Sequence, residues 1–164
     1  MSLLQQIQSD LLDTEKELAP ILLKFKFLAS RLNSSPLEKW IMYELEGYPE
    51  GTDLPPYRIF EVVYRATFSG PFGAGIQNAP IPPYLISQHA GESWTNYEMR
   101  QSIAAVDELA RSGSSGSLHI NASNLILLLQ GKVYEGYACN DVTGTVSISQ
   151  LTELKMPSER GCWI

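Results

Sequence analysis

Between Glu44 and Tyr84 the chain reads ELEGYPEGTDLPPYR and, nine residues later, FSGPFGAGIQNAPIPPY, a density of glycine, proline and aromatic residues that a slack linker does not need. Glycine supplies backbone angles closed to other residues, proline fixes its own φ, and both are concentrated where a chain must turn in a set direction. The run therefore reads as a packed connection between a helical first third and a mixed remainder.

In the first 32 positions apolar side chains recur at Leu4, Ile7, Leu11, Leu18, Ile21, Phe25, Leu28 and Leu32, the three-and-four spacing that lines one side of a helix. Pro20 interrupts the stripe. An interior proline costs about 3 kcal/mol, so a break is expected near Ala19, with Pro20 in the first turn of a second helix. Asn33 to Ser35 end that helix, Pro36 opens a third, and Gly47 closes it, with Trp40, Ile41, Glu44 and Leu45 on one face. The stripe carries more apolar surface than a small domain easily covers. Burial inside one bundle and self-association through Leu4, Leu11, Leu18, Leu28 and Leu32 both account for it.

Tyr57 to Phe68, rich in β-branched and aromatic residues, reads as one strand with Phe60, Val62, Tyr64 and Ala66 on one face and Ile59, Glu61, Val63 and Arg65 on the other. A turn through Gly70 to Gly75, an extended run past Pro80, a helical turn over Tyr84 to His89, a short strand over Tyr97 to Gln101 and a helix over Ile103 to Arg111 follow. The segment Ser112 to Ser117 reads as a loop, Ala122 to Gln130 as a short buried helix capped by Ser123 or Asn124, and Val133 to Ser147 as a strand pair or a strand and its return. The expected fold class is α+β, with an N-terminal helical hairpin or bundle packed on a small antiparallel or mixed sheet. One domain is expected over 1–150, helical in 1–47 and mixed in 57–150, followed by a tail over 151–164.

The net charge of −6, from 18 acidic and 12 basic residues with no local cationic cluster, argues against nucleic acid and anionic lipid as partners. Cys139 and Cys162 are too few for a disulfide framework and lack metal-ligand spacing, which fits a cytoplasmic protein with reduced thiols. The N-terminus lacks the features of a secretory signal, and the longest apolar run, Leu125 to Leu129, is far short of a membrane span. No cofactor, metal site or catalytic residue is expected. The Gly70 to Gly75 loop lacks the lysine and hydroxyl of a phosphate loop, and Pro71 removes a donor. Cys139 with His119 and the lone His89 read as structural or surface residues. Glu44, Glu46, Asp107 and Glu108 read as solvated helix faces. Arg100, with Gln101 and Ser102, fits a structural polar network or, together with Tyr84 and Asn78, a ligand site.

Taken together, SLLQQIQSDLLD (2–13), ILLKFKFLASRL (21–32), ELEGYPEGTDLPPYR (44–58), FSGPFG (68–73), IQNAPIP (76–82), MRQSIAAVDEL (99–109) and KVYEGYAC (132–139) resemble the AbiTii domain of bacterial abortive-infection proteins. GYPEG, SGPFG and RQSIA are specific in combination and weak singly. The resemblance implies a role in phage defence without a catalytic residue to carry over. It leads us to expect a sensing or scaffolding module that forms a homo-oligomer or meets a partner defence protein. The alternative is a toxin-type enzyme or nucleotide sensor with a pocket near Gly70 to Gly75. Met156-Pro157 and Gly161 depart from the further helix that such domains tend to have there. That departure fits a stand-alone short version or one separated from a C-terminal effector region.

Overall fold

The computed structural model describes residues 2–13, 15–112 and 117–147. Its contacts divide the chain into two compact units, one formed by 2–55 with 100–112 and the other by 56–99 with 117–147. The fold is α+β, with N-terminal helices followed by two small antiparallel sheets.

The helical unit contains α1 (Leu3–Leu12), α2 (Leu18–Arg31), α3 (Ser35–Glu46) and α5 (Ile103–Ser112). Ser2 caps α1 in a reciprocal box: its hydroxyl accepts from the Gln5 amide, and the Gln5 side chain accepts from the Ser2 amide. The helix break falls earlier than the position of Pro20 suggests. α1 stops at Leu12 and α2 starts at Leu18, so Pro20 lies in the first turn of α2, where its missing N–H costs nothing. Leu22, Ala29, Ile41 and Ile103 form the core of this unit, with Leu18, Phe25 and Trp40 packed around it. A helix that starts 57 positions after the end of α3 thus completes the first bundle.

Asp10 fastens α1 to α2. Its carboxylate, on a side chain 11% exposed, accepts hydrogen bonds from Lys16 and, at 2.5 Å, from Lys24. These two bonds, Lys16 first, hold the Asp10 carboxyl below its usual range, while the bond to Asp10 raises the Lys16 ammonium.

The second unit contains β1 (Ile59–Glu61), β2 (Val63–Ser69), β3 (Gly75–Ile81), α4 (Pro83–Ala90), β4 (Asn96–Glu98), β5 (Ser117–Asn121), α6 (Ser123–Leu128) and β6 (Ala138–Ser147). One sheet has the order β3-β2-β6-β5 and the other pairs β1 with β4, all antiparallel. The expected alternation holds, since Phe60, Val62, Tyr64 and Ala66 are buried. The expected single strand does not. The chain changes partners at Val62, whose amide donates to the Thr95 carbonyl at 3.0 Å, so β1 and β2 belong to different sheets.

Val133 to Ser147 is likewise not a strand and its return. Only β6 forms there, and its neighbour β5 precedes α6 in the chain. Gly144 in β6 lets the strand lie against the Tyr64 ring, because a Cβ there would sit 2.8 Å from Tyr64 Cε1. α6 has no side-chain cap. Its N-cap residue is Ala122, and Asn121 instead accepts from the Ser123 amide. α6 is buried on one side at Leu125, while Leu127 is exposed. The expected loop centred on 113–116 and the tail from 151 lie outside the described residues.

For an acid with a lowered folded pKa, the stabilising contribution is present above the unfolded value and is lost as pH falls through the folded value; for Lys16 the loss comes as pH rises through its raised value. Asp10→Asn is therefore expected to lower the melting temperature by a constant amount between about pH 5 and 9, with the deficit shrinking below and above that window. Thermal unfolding of both proteins across pH tests this.

Candidate functional site

Gly47 ends α3 at φ 99° and ψ 162°, a conformation essentially confined to glycine. The geometry is needed because the backbone of Arg100 lies against it: a Cβ on Gly47 would sit 2.9 Å from the Arg100 carbonyl oxygen. That carbonyl accepts from the Tyr48 amide at 2.8 Å. The Arg100 guanidinium then reaches the following loop, where Nη1 donates to the Pro49 carbonyl at 2.7 Å and the Thr52 carbonyl at 2.9 Å. Ser102 accepts from the Ala105 amide at 3.4 Å at the start of α5. Arg100 Nη1 thus bonds loop carbonyls and Ser102 bonds the start of α5.

The loop so held forms one wall of a groove of about 350 Å³. α3 contributes Pro36, Lys39, Trp40 and Tyr43. The loop contributes Tyr48, Asp53, Leu54 and Pro55. The Tyr43 and Tyr48 rings are tilted against each other with centroids 5.2 Å apart, and the Lys39 ammonium lies 5.7 Å from the centre of the Tyr43 ring. Tyr48 donates its hydroxyl hydrogen to Glu44 at 2.7 Å. Glu44 and Asp107 are buried, at 4% and 1% exposure, which corrects the reading of both as solvated. The position of Glu44 on the Trp40–Ile41 face was the available signal for it. Two charges whose burial the sequence did not indicate are Asp107 and, in the sheet unit, Arg58, which donates to the Met99 carbonyl at 3.3 Å.

Tyr84 stands exposed on α4. Asn78 lies in β3 with φ 53°, and its carbonyl accepts from Arg65 at 2.8 Å. Both belong to the sheet unit and Arg100 to the helical unit.

The Gly70 to Gly75 segment is the turn between β2 and β3. It is closed by bonds from the Gly70 amide to the Ala74 carbonyl and from the Ala74 amide to the Pro71 carbonyl, at 2.7 and 3.1 Å. Phe72 at its tip is fully exposed with φ 58°, a left-handed conformation that costs a side-chain-bearing residue about 1–2 kcal/mol.

His119 pairs in register with Thr145, six positions along β6 from Cys139, a separation of about 20 Å. Burial pushes the Cys139 thiol up, further raised by Asp141, and the Gln130 side-chain amide bonds both the N–H and the C=O of Cys139. Cys139 is therefore held as an inert structural thiol. Among the described residues no group of three or more His, Cys, Asp or Glu side chains is arranged to hold a metal ion.

Two pairs of sequence motifs meet in space. GYPEG and RQSIA meet at Gly47 and Arg100. In the sheet unit, SGPFG meets KVYEGYAC, because Gly70 leaves room for the Tyr137 ring, where a Cβ would lie 2.5 Å from Cε1, and Phe68 meets Tyr134 edge to face at 5.1 Å.

Gly47→Ala is expected to destabilise the protein by about 1–3 kcal/mol through backbone strain and the clash with Arg100, as read by urea unfolding. Arg100→Met, which keeps the aliphatic stem and removes the donors, is expected to cost about 1.5–3 kcal/mol and to raise hydrogen exchange at the amides of 50–53.

No curated protein and no solved structure matches this chain. The sequence model of the AbiTii family matches residues 2–156, a span that contains both motif pairs, and the chain therefore belongs to the AbiTii family.

Proposed function

We propose that this protein works in abortive-infection defence, the setting its family name indicates, as a sensing or scaffolding module that self-associates through α1 and α2. The observation that carries the reading is the amount of large apolar side chain those helices leave in water. Leu12, Phe27 and Leu32 are 85%, 70% and 63% exposed, and Leu4, Leu11 and Leu23 are about half exposed. Leu4 and Leu11, seven residues apart, share a face of α1, and Leu23 and Phe27 are one turn apart on α2. Leu18 packs against the helical core and Leu28 is half-buried, so the proposed association draws on exposed Leu4 and Leu11 of α1 and Leu23 and Phe27 of α2, with exposed Leu32 at the C-cap of α2 on another side of that helix. Burying such side chains returns about 25 cal/mol per Å² of apolar surface, the driving force of most protein association.

The enzyme or nucleotide-sensor reading would draw on Arg100 and the Gly70 to Gly75 loop. It has less support, because the guanidinium is bonded to the Pro49 and Thr52 carbonyls and the loop closes on its own backbone. No helix among the described residues is long and apolar enough to cross a membrane.

Sedimentation velocity over a range of concentrations tests the proposal. The unmodified protein is expected to associate as concentration rises, and Leu11→Asp or Phe27→Asp to sediment as a monomer with an unchanged circular dichroism spectrum. A concentration-independent monomer for the unmodified protein overturns it.

A further inference from the structure

The groove between α3 and the 48–55 loop is a surface separate from the α1 and α2 side chains invoked above, and its lining has a chemistry of its own. Its lining is aromatic at Trp40, Tyr43 and Tyr48, with Pro55 beside them, and it carries one cation, Lys39, and one carboxylate, Asp53. We propose that this groove binds an extended, proline-containing peptide segment that carries a lysine or arginine next to its prolines.

Three observations favour that occupant. Proline rings are flat enough to lie on aromatic side chains, and a polyproline II segment meets an aromatic-lined groove with little conformational entropy left to lose. The loop wall, YPEGTDLP over 48–55, carries exposed Glu50 and Asp53 and no basic residue, which complements a cationic side chain on the ligand. Lys39 is already placed over the Tyr43 ring, so its ammonium meets an aromatic face while remaining at the rim, suited to the carbonyl oxygens that a polyproline II segment leaves without internal partners. The acidic loop wall and the net charge of −6 disfavour a nucleotide or nucleic acid, since a phosphate drawn to Lys39 would also face Asp53 in the lining and Glu50 beside it.

The groove is also prepared in advance. Arg100 fixes the loop wall through the Pro49 and Thr52 carbonyls, and the Tyr48 hydroxyl is bonded to buried Glu44, so two elements of the lining are held before any ligand arrives. Arg100 acts here as a positioning residue.

Fluorescence anisotropy with two labelled probes, an octaproline flanked by arginines and one flanked by glutamates, tests the proposal on the full chain. The arginine-flanked peptide is expected to bind saturably and more tightly than the other. Asp53→Lys, a substitution at an exposed position, is expected to weaken the arginine-flanked peptide about five- to tenfold and to narrow or reverse the preference. Tyr43→Ala is expected to abolish binding of both, with circular dichroism reporting that the fold is kept. If neither peptide binds the unmodified protein, or if Asp53→Lys leaves the preference unchanged, the proposal fails. It also fails if ATP or oligo-dT binds at the groove in place of the peptides. A dimer that Asp53→Lys dissociates, with no peptide bound, would assign the groove to a second copy and overturn it as well.

Discussion

The helical unit depends on a single backbone approach. At Gly47 and Arg100 two stretches of chain more than 50 residues apart come so close that only a glycine hydrogen fits between them, and the Tyr48 amide seals the junction on the Arg100 carbonyl. Because α5 starts at Ile103, immediately after this junction, the same approach brings Ile103 into the core formed by Leu22, Ala29 and Ile41. A backbone contact of this kind is unforgiving. A side chain in its place would have to displace main chain, which cannot move independently of the helices attached to it.

The guanidinium of Arg100 extends that junction into a surface feature. Backbone carbonyls in a surface loop would ordinarily be satisfied by water, and a water-bonded loop samples many shapes. With two of its carbonyls bonded to a cation that is itself fixed by the α5 approach, the 49–52 segment has a defined path, and the residues after it form a wall facing α3. The aromatic residues of that wall serve two ends. Trp40 packs toward the helical core while lining the groove, and Tyr48 is nearly buried yet adjoins it. Stability and a recognition surface thus draw on the same side chains. The exposed apolar residues of α1 and α2 do not have this double role: Phe27 and Leu12 contribute little to the interior of their own unit, which is the observation behind the proposed self-association.

The sheet unit follows a comparable logic with different parts. Gly70 and Gly144 each clear space for a tyrosine ring, Tyr137 and Tyr64 respectively, and the Tyr64 hydroxyl donates to the Trp94 carbonyl at 2.7 Å. Pro80 sits in β3, at the edge of the four-stranded sheet, where a missing N–H removes no ladder bond that the interior needs. Gly47, Gly70 and Gly144 are thus the points where backbone, rings and strands pass close to one another, while Gly51 and Gly73 face open space and serve the backbone through their positive φ.

Local chemistry settled much of this from the residues alone. The three N-terminal helices, the proline in the first turn of two of them, the inward face of Phe60, Val62, Tyr64 and Ala66, α4, and the structural role of the Gly70 to Gly75 turn all follow from periodicity and backbone restriction, which act over a few residues. Other features depend on distant partners. The exchange of strand partners at Val62 comes from the Thr95 carbonyl, the neighbour of β6 is a strand that precedes α6, and the burial of Glu44 and Asp107 is a property of packing that no local charge pattern shows. Arg100 stood out as a polar residue beside an apolar helix, but only the folded chain joined it to Pro49 and Thr52 and so made a groove of Tyr43, Tyr48 and Asp53. The sequence by itself determined the helices, the inward face of 60–66 and the turn after β2, and which family they compose, because those depend on short-range sterics and motif content. The tertiary structure decided which of the motifs touch, since that depends on backbone closeness between residues far apart in the chain.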